Sequence, residues 1–97
     1  MLTCQGTDDT LSIAGKLQVH FLDQVLDCLG AALNQTQPLT VDVSAVSEVD
    51  LAGLQLLLSF MRTRQASSPT SLRGVQPFMN KAMQLSGLES HFAGYVI

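Results

Sequence analysis

The stretch VDVSAVSEVDLAGLQLLL, Val41 to Leu58, changes its period once, and that change decides the architecture. Val41 and Val43 alternate with Asp42, the period of a strand with one face buried. After Asp50 the apolar residues recur at helical spacing. Leu54, Leu57, Leu58 and Met61 make one stripe, widened by Leu56 and Phe60, and Gln55, Ser59, Arg62 and Thr63 make a narrow polar one. A strand, a turn and a helix over about Leu51 to Arg64 follow, and the wide apolar arc means that this helix is mostly buried or meets a partner. Asp50 suits the N-cap of that helix, because its carboxylate can accept from backbone N–H groups that lack helical partners. The next two positions hold Leu51 and Ala52, where the positive end of a helix more often carries polar groups.

Outward from this unit the same periods continue. Leu2 and Cys4, then Leu11 and Ile13, alternate with polar neighbours around the turn Gly6-Thr7-Asp8-Asp9, which predicts an antiparallel hairpin. Gly15 interrupts the alternation, and Leu17 and Val19 suggest a further short strand. From about Phe21 to Leu33 the residues Leu22, Val25, Leu26, Leu29, Ala32 and Leu33 share one helical face, ended by Asn34 to Gln37 and Pro38. Leu39 leads into the central strand. Beyond the second helix, Gln65 to Ser71 reads as a mobile polar loop, and Leu72 and Val75 fit a last strand. Pro77 suits the first turn of a third helix with Phe78, Ala82, Met83 and Leu85 for packing and Gly87 to end it. The tail from Leu88 to Ile97 is apolar enough to dock. The order hairpin, helix, strand, helix, strand, helix predicts one α/β domain over residues 1–97. Its mixed sheet has four or five strands, flanked by three or four helices.

Composition narrows the function. The chain has 97 residues, 46% hydrophobic and 13% charged, which describes a globular chain with a single core. Five Lys and Arg are scattered through a chain of net charge −3, so there is no basic stripe to neutralise phosphates and nucleic acid is not an expected partner. No apolar run approaches the roughly 20 residues of a membrane span, and the first residues lack a signal-peptide pattern. A cytoplasmic protein is expected, with no membrane insertion and with Cys4 and Cys28 as small buried apolar residues rather than a disulfide. His20 and His91 lack metal-ligand spacing. Met61, Met79 and Met83 read as core filler. Ser44 and Ser47 read as strand-end or turn residues satisfying local backbone. No phosphate loop, carboxylate pair or nucleophile–base arrangement stands out, so neither an enzyme nor a cofactor is expected.

The residues Asp42, Ser44, Val46, Asp50, Gly53 and Leu54 resemble the pattern D-x-S-x-V-x-x-x-D, one or two Ser or Thr positions, then G-L, of the STAS domain family. Gly15-Lys16-Leu17 is similar to the family's G-x-L before the first helix, and Ser86-Gly87-Leu88 to the S-G-L that closes the third. The resemblance runs from about Leu2 to Phe92 and implies a STAS-like fold. It also implies a bacterial signalling domain like the anti-sigma factor antagonists, which bind a partner protein through the start of helix 2. Asp50, Leu51, Ala52, Gly53, Gln55 and Leu58 are the expected partner-binding residues, with Leu51 either a core residue or an exposed contact. In signalling members a Ser or Thr after the aspartate is phosphorylated by the partner kinase; Leu51 and Ala52 have no hydroxyl, so no phosphorylation is expected there. An anti-sigma factor, a histidine kinase or a chemotaxis component is the implied partner. A MlaB-like accessory role beside the ATPase of a phospholipid ABC transporter is the alternative, and a small-ligand sensor a third reading.

Overall fold

A computed structural model describes residues 2–7, 9–33 and 36–97. Strands β1 (Leu2–Gly6) and β2 (Thr10–Leu17) form the expected antiparallel hairpin, with Leu2 opposite Gly15 and Gly6 opposite Leu11. Asp8, in the expected turn, lies outside the described residues. Helix α1 (Leu22–Leu33) leads to β3 (Leu39–Val49), and α2 (Leu51–Gln65) leads to β4 (Thr70–Arg73). The sheet order is β1-β2-β3-β4, with β2, β3 and β4 mutually parallel. Both crossovers step in the same direction between parallel neighbours, so the one allowed hand puts α1 and α2 on the same face. They pack on each other, α1 also on β1 and α2 on β4. Helix α3 (Pro77–Leu85) packs on β3 and on the short α4 (Glu89–Phe92).

The core follows the apolar periods. Leu11, Ile13, Leu17, Leu39, Val41, Val43, Leu54, Leu57, Met61, Leu72, Met79 and Met83 are all buried. Several expectations need correction. Gly15 does not end a strand: β2 continues to Leu17, and Gly15, at φ 99°, sits within the irregular stretch where β3 gains residues against β2. Those insertions shift the alternation of β3, so Val46 is buried after Val43 while Ser44 and Ala45 are exposed, and Ser44 and Ser47 lie inside a long strand rather than at its end. Val19 opens a 3-10 turn, Val19–Phe21, instead of joining a strand. Leu26 and Leu33 are exposed on α1, because the apolar arc is wider than the face that meets the sheet. Asn34 and Gln35, expected to end that helix, lie outside the described residues.

The loop after α2 is not free. Ser68 and Thr70 are buried, the Ser68 hydroxyl donates to the Thr36 carbonyl, and Thr70 N donates to Gln65 Oε1 at 2.7 Å. Arg64 is 1% exposed; its Nε donates to Ala32 O at 3.0 Å and its Nη2 to Gln37 O at 2.6 Å, which joins the end of α2 to the chain on either side of the α1–β3 connection. Val75 falls beyond β4, and in α3 Met79 rather than Phe78 or Leu85 fills the core beside Met83. Gly87, at φ 79°, closes α3, with Leu88 N donating to Met83 O at 2.8 Å. The tail docks by its backbone: Leu72 N donates to Tyr95 O and Ile97 N to Leu72 O.

The cysteines depart furthest from the sequence expectation. Cys4 of β1 and Cys28 of α1 are half-buried rather than buried, and they are joined as a disulfide across a Cα–Cα distance of 6.0 Å. Their 24-residue separation says nothing of this pairing, which arises because α1 lies against the edge strand.

Candidate functional site

The site forms where three chain segments converge on Asp50. Its backbone is extended, φ −126° and ψ 176°, as an N-cap requires. Oδ1 accepts from Gly53 N at 2.8 Å and caps α2. Oδ2 accepts from Val19 N at 2.9 Å, across 31 residues of sequence, and holds the 3-10 turn. Asp50 N donates to Leu17 O at 3.2 Å, so the same residue also closes onto the end of β2.

Gly53 makes this convergence possible. A Cβ built there would sit 2.1 Å from Leu17 O and 2.7 Å from Leu17 C, both backbone atoms that cannot turn aside. Only a residue without a side chain lets the first turn of α2 approach β2 so closely.

What remains outside is apolar. Leu51 is 52% exposed and Val19 49%, one in each of the two segments that the Asp50 carboxylate joins. Leu51 is therefore an exposed residue and not part of the core. Ala52 is half-buried and Gln55 exposed. Leu58 is 5% exposed, so it does not belong to the outer surface; it floors a groove of about 390 Å³ whose walls include Gln55, Ser59, Arg62, Leu88 and His91. In that groove Arg62 Nη2 donates to His91 Nδ1 at 2.8 Å. Thus Leu51, Ala52 and Gln55 present themselves along α2, while Gly53 and Leu58 support them from beneath.

Val19 and His91 were not among the expected site residues. Val19 reaches the site only because parallel pairing of β2 with β3 brings the two strand ends together, which no local pattern reveals. Arg62 lies on the polar stripe read from the sequence, but its contact with His91 depends on where α4 falls.

Elsewhere the charges belong to the sheet. Asp42 lies 3.0 Å from Arg73, and Lys16 lies 3.3 Å from Glu48. Hydrogen bonds from the Ser44 hydroxyl and N–H, with the Arg73 guanidinium after them, hold the Asp42 carboxyl below its ordinary value. Among the described residues no cluster of three or more His, Cys, Asp or Glu forms a metal site, and no helix is long and apolar enough to cross a membrane.

Comparison with known proteins identifies the family and the fold. A family model described as the Mlab, STAS domain matches residues 1–96. No curated protein matches the chain in sequence. Among solved structures, the anti-sigma factor antagonist SpoIIAA in its unphosphorylated form is 24% identical, with a TM-score of 0.70 over 100% of this chain and 86% of that one. An anti-sigma factor antagonist from Mycobacterium paratuberculosis is 19% identical, with a TM-score of 0.75 over 95% and 81%. A sulfate transporter family protein from Wolinella succinogenes is 18% identical, with a TM-score of 0.67 over 91% and 74%. The chain belongs to the STAS domain family, and its four-stranded mixed sheet with four helices has the fold of these neighbours.

Proposed function

We propose that this STAS-family member is a non-enzymatic bacterial regulatory domain of the cytoplasm that binds a partner protein through the start of α2. The exposed Leu51 carries this reading. A half-exposed leucine stands on a helix start that Asp50 and Gly53 hold rigidly against β2 and the Val19 turn. Covering the exposed half of such a side chain contributes about 1 kcal/mol, roughly 5-fold in affinity. Rigidity lowers the ordering cost of binding there.

The same position explains how the domain differs from a phosphoswitch. Leu51 and Ala52 offer no oxygen for phosphate, so the surface stays in one binding-competent form. An anti-sigma factor, a histidine kinase or a chemotaxis component fits that reading, and the neighbours named as anti-sigma factor antagonists support it. The Mlab description of the matching family model favours a second reading, an accessory subunit bound to the ATPase of a phospholipid ABC transporter.

Leu51→Asp tests the surface without endangering the fold, because an acidic residue in the first helical turn is favourable to the helix. Titration of wild-type and variant chains against purified candidate partners by calorimetry is expected to show at least about a 5-fold loss for the variant, at unchanged melting temperature. Equal affinity of both chains for the partner would remove this site as the interface. Whether the partner that binds is a kinase-type regulator or a transporter ATPase separates the two readings.

A further inference from the structure

Cys4 sits in the middle of an edge strand. Strand β1 pairs with β2 on one side only, and of its residues only Leu2 is buried, while Thr3, Gln5 and Gly6 are exposed. Cys28 approaches it from α1. Their Cα atoms, 6.0 Å apart, lie within the narrow window that a disulfide requires without backbone movement. Both residues are half-buried and help line a cavity of about 220 Å³ together with Gly6, Thr10, Leu11 and Leu39.

Other contacts share the corner with the bond. Val25, Leu29 and Ala32 anchor α1 in the core, Leu2 anchors β1, and the five-residue register of β1 on β2 is complete without it. A cross-link between two half-buried groups on an edge strand has the setting of a labile disulfide rather than of one enclosed in the core.

We propose that Cys4 and Cys28 form a reversible thiol–disulfide site that clamps the edge strand to α1 when oxidised and releases it when reduced. The oxidant is a low-molecular-weight disulfide of the glutathione class. One cysteine thiolate attacks a sulfur of glutathione disulfide, forms a mixed disulfide and expels one glutathione thiolate. The second cysteine thiolate attacks the protein sulfur of that mixed disulfide and expels the other. Two protons leave the protein thiols and two glutathione thiolates take them up, so two protein electrons pass to glutathione. Reduction is the reverse. The clamp acts on α1, which begins at the Val19–Phe21 turn, and so on an element that continues directly into the turn Asp50 holds.

The full chain is equilibrated without oxygen in buffers of varied reduced-to-oxidised glutathione ratio, quenched with an alkylating agent and weighed intact. The expected result is one transition between a doubly alkylated form and an unalkylated monomer. Reduction is expected to lower the melting temperature by about 10–20 °C. It is also expected to speed amide exchange in Leu2–Gly6 and Leu22–Leu33 but not in Pro77–Leu85. Cys4→Ser and Cys28→Ser chains, each retaining one thiol, are expected to stop at the mixed disulfide with glutathione. Thiols that stay fully alkylatable in oxidised glutathione would overturn the proposal. So would accumulation of mixed disulfide in the wild-type chain, or identical melting of the oxidised and reduced forms.

Discussion

Gly53→Ala and Gly30→Ala place the same methyl group in two helices, and the structure gives them opposite signs. At Gly30, in α1, an added Cβ meets nothing within 4 Å. The change then acts through helix propensity alone and stabilises the domain by about 0.5–1 kcal/mol. At Gly53 the added Cβ lies 2.1 Å from Leu17 O. Restoring a normal contact requires α2 and β2 to part by more than about 1 Å.

That movement reaches the bonds of the junction. The Asp50 N to Leu17 O bond, already 3.2 Å, would open past hydrogen-bond range, and the Asp50 Oδ2 to Val19 N bond at 2.9 Å would lengthen with it. A neutral bond contributes about 0.5–1.5 kcal/mol and one to a charged group about 1.5–3 kcal/mol. Partial relaxation keeps some of each and exchanges the rest for strain of about 1–3 kcal/mol. Propensity returns at most about 1 kcal/mol. The net expectation is a loss of about 2–4 kcal/mol, a large share of the 5–15 kcal/mol typical of a domain. Urea unfolding followed by circular dichroism, with m-values compared to establish that the unfolded states match, measures both variants. A Gly53→Ala midpoint equal to or above that of the wild-type chain would refute the close-approach reasoning. A Gly30→Ala midpoint well below it would refute the assignment of open space in α1.

Arg64→Lys keeps the charge but not the planar fork that serves both Ala32 O and Gln37 O, so a loss of about 2–4 kcal/mol is expected in the same urea assay. A midpoint unchanged by that substitution would show that neither bond matters to stability. For Asp42 the folded carboxyl is held below its ordinary value of 3.8, so the unfolded chain binds its proton more readily. Its contribution is present above that value and is lost as pH falls through the lower folded one. Melting measured across roughly pH 5 to 2 is expected to fall less steeply for Asp42→Asn than for the wild-type chain. The difference is small, because the Ser44 hydrogen bonds and the Arg73 pair both lie at an exposed place where solvent competes with them.

The parts of the fold written in apolar period were legible from sequence: the stripe of α2, the alternation of Leu39, Val41 and Val43, and the Pro77 and Gly87 limits of α3. The misreadings have a common physical source. Gly15 serves equally as a strand end or as a bulge at φ 99°, since glycine accepts either, and only pairing with β3 decides between them. Leu26, Leu33, Phe78 and Leu85 are apolar but face outward, because a helix's apolar arc does not state how much of it a neighbour covers. The joining of Cys4 to Cys28, the burial of Arg64 and the nearness of Val19 to Asp50 all depend on how distant segments are brought together. In the site the cap at Asp50 was readable, whereas Leu58 shares the spacing of Leu51 and only burial separates them.

That separation changes what discriminates a partner. Each oxygen of the Asp50 carboxylate already accepts a backbone N–H, one from α2 and one from the Val19 turn. A carboxylate so engaged is a positioning group: removing it would loosen the surface without removing a contact. Gly53 is equally committed, to Leu17. Under the proposed docking mode, affinity must come from what these two residues hold in place, the exposed Leu51 and Val19 with Gln55 beside them. Farther along the same helix, Arg62 is held by a His91 nitrogen and by no carboxylate among the described residues. A partner that meets α2 along its length would therefore match an apolar contact at one end with an acidic one at the other, and charge reversal at Arg62 would weaken it independently of Leu51.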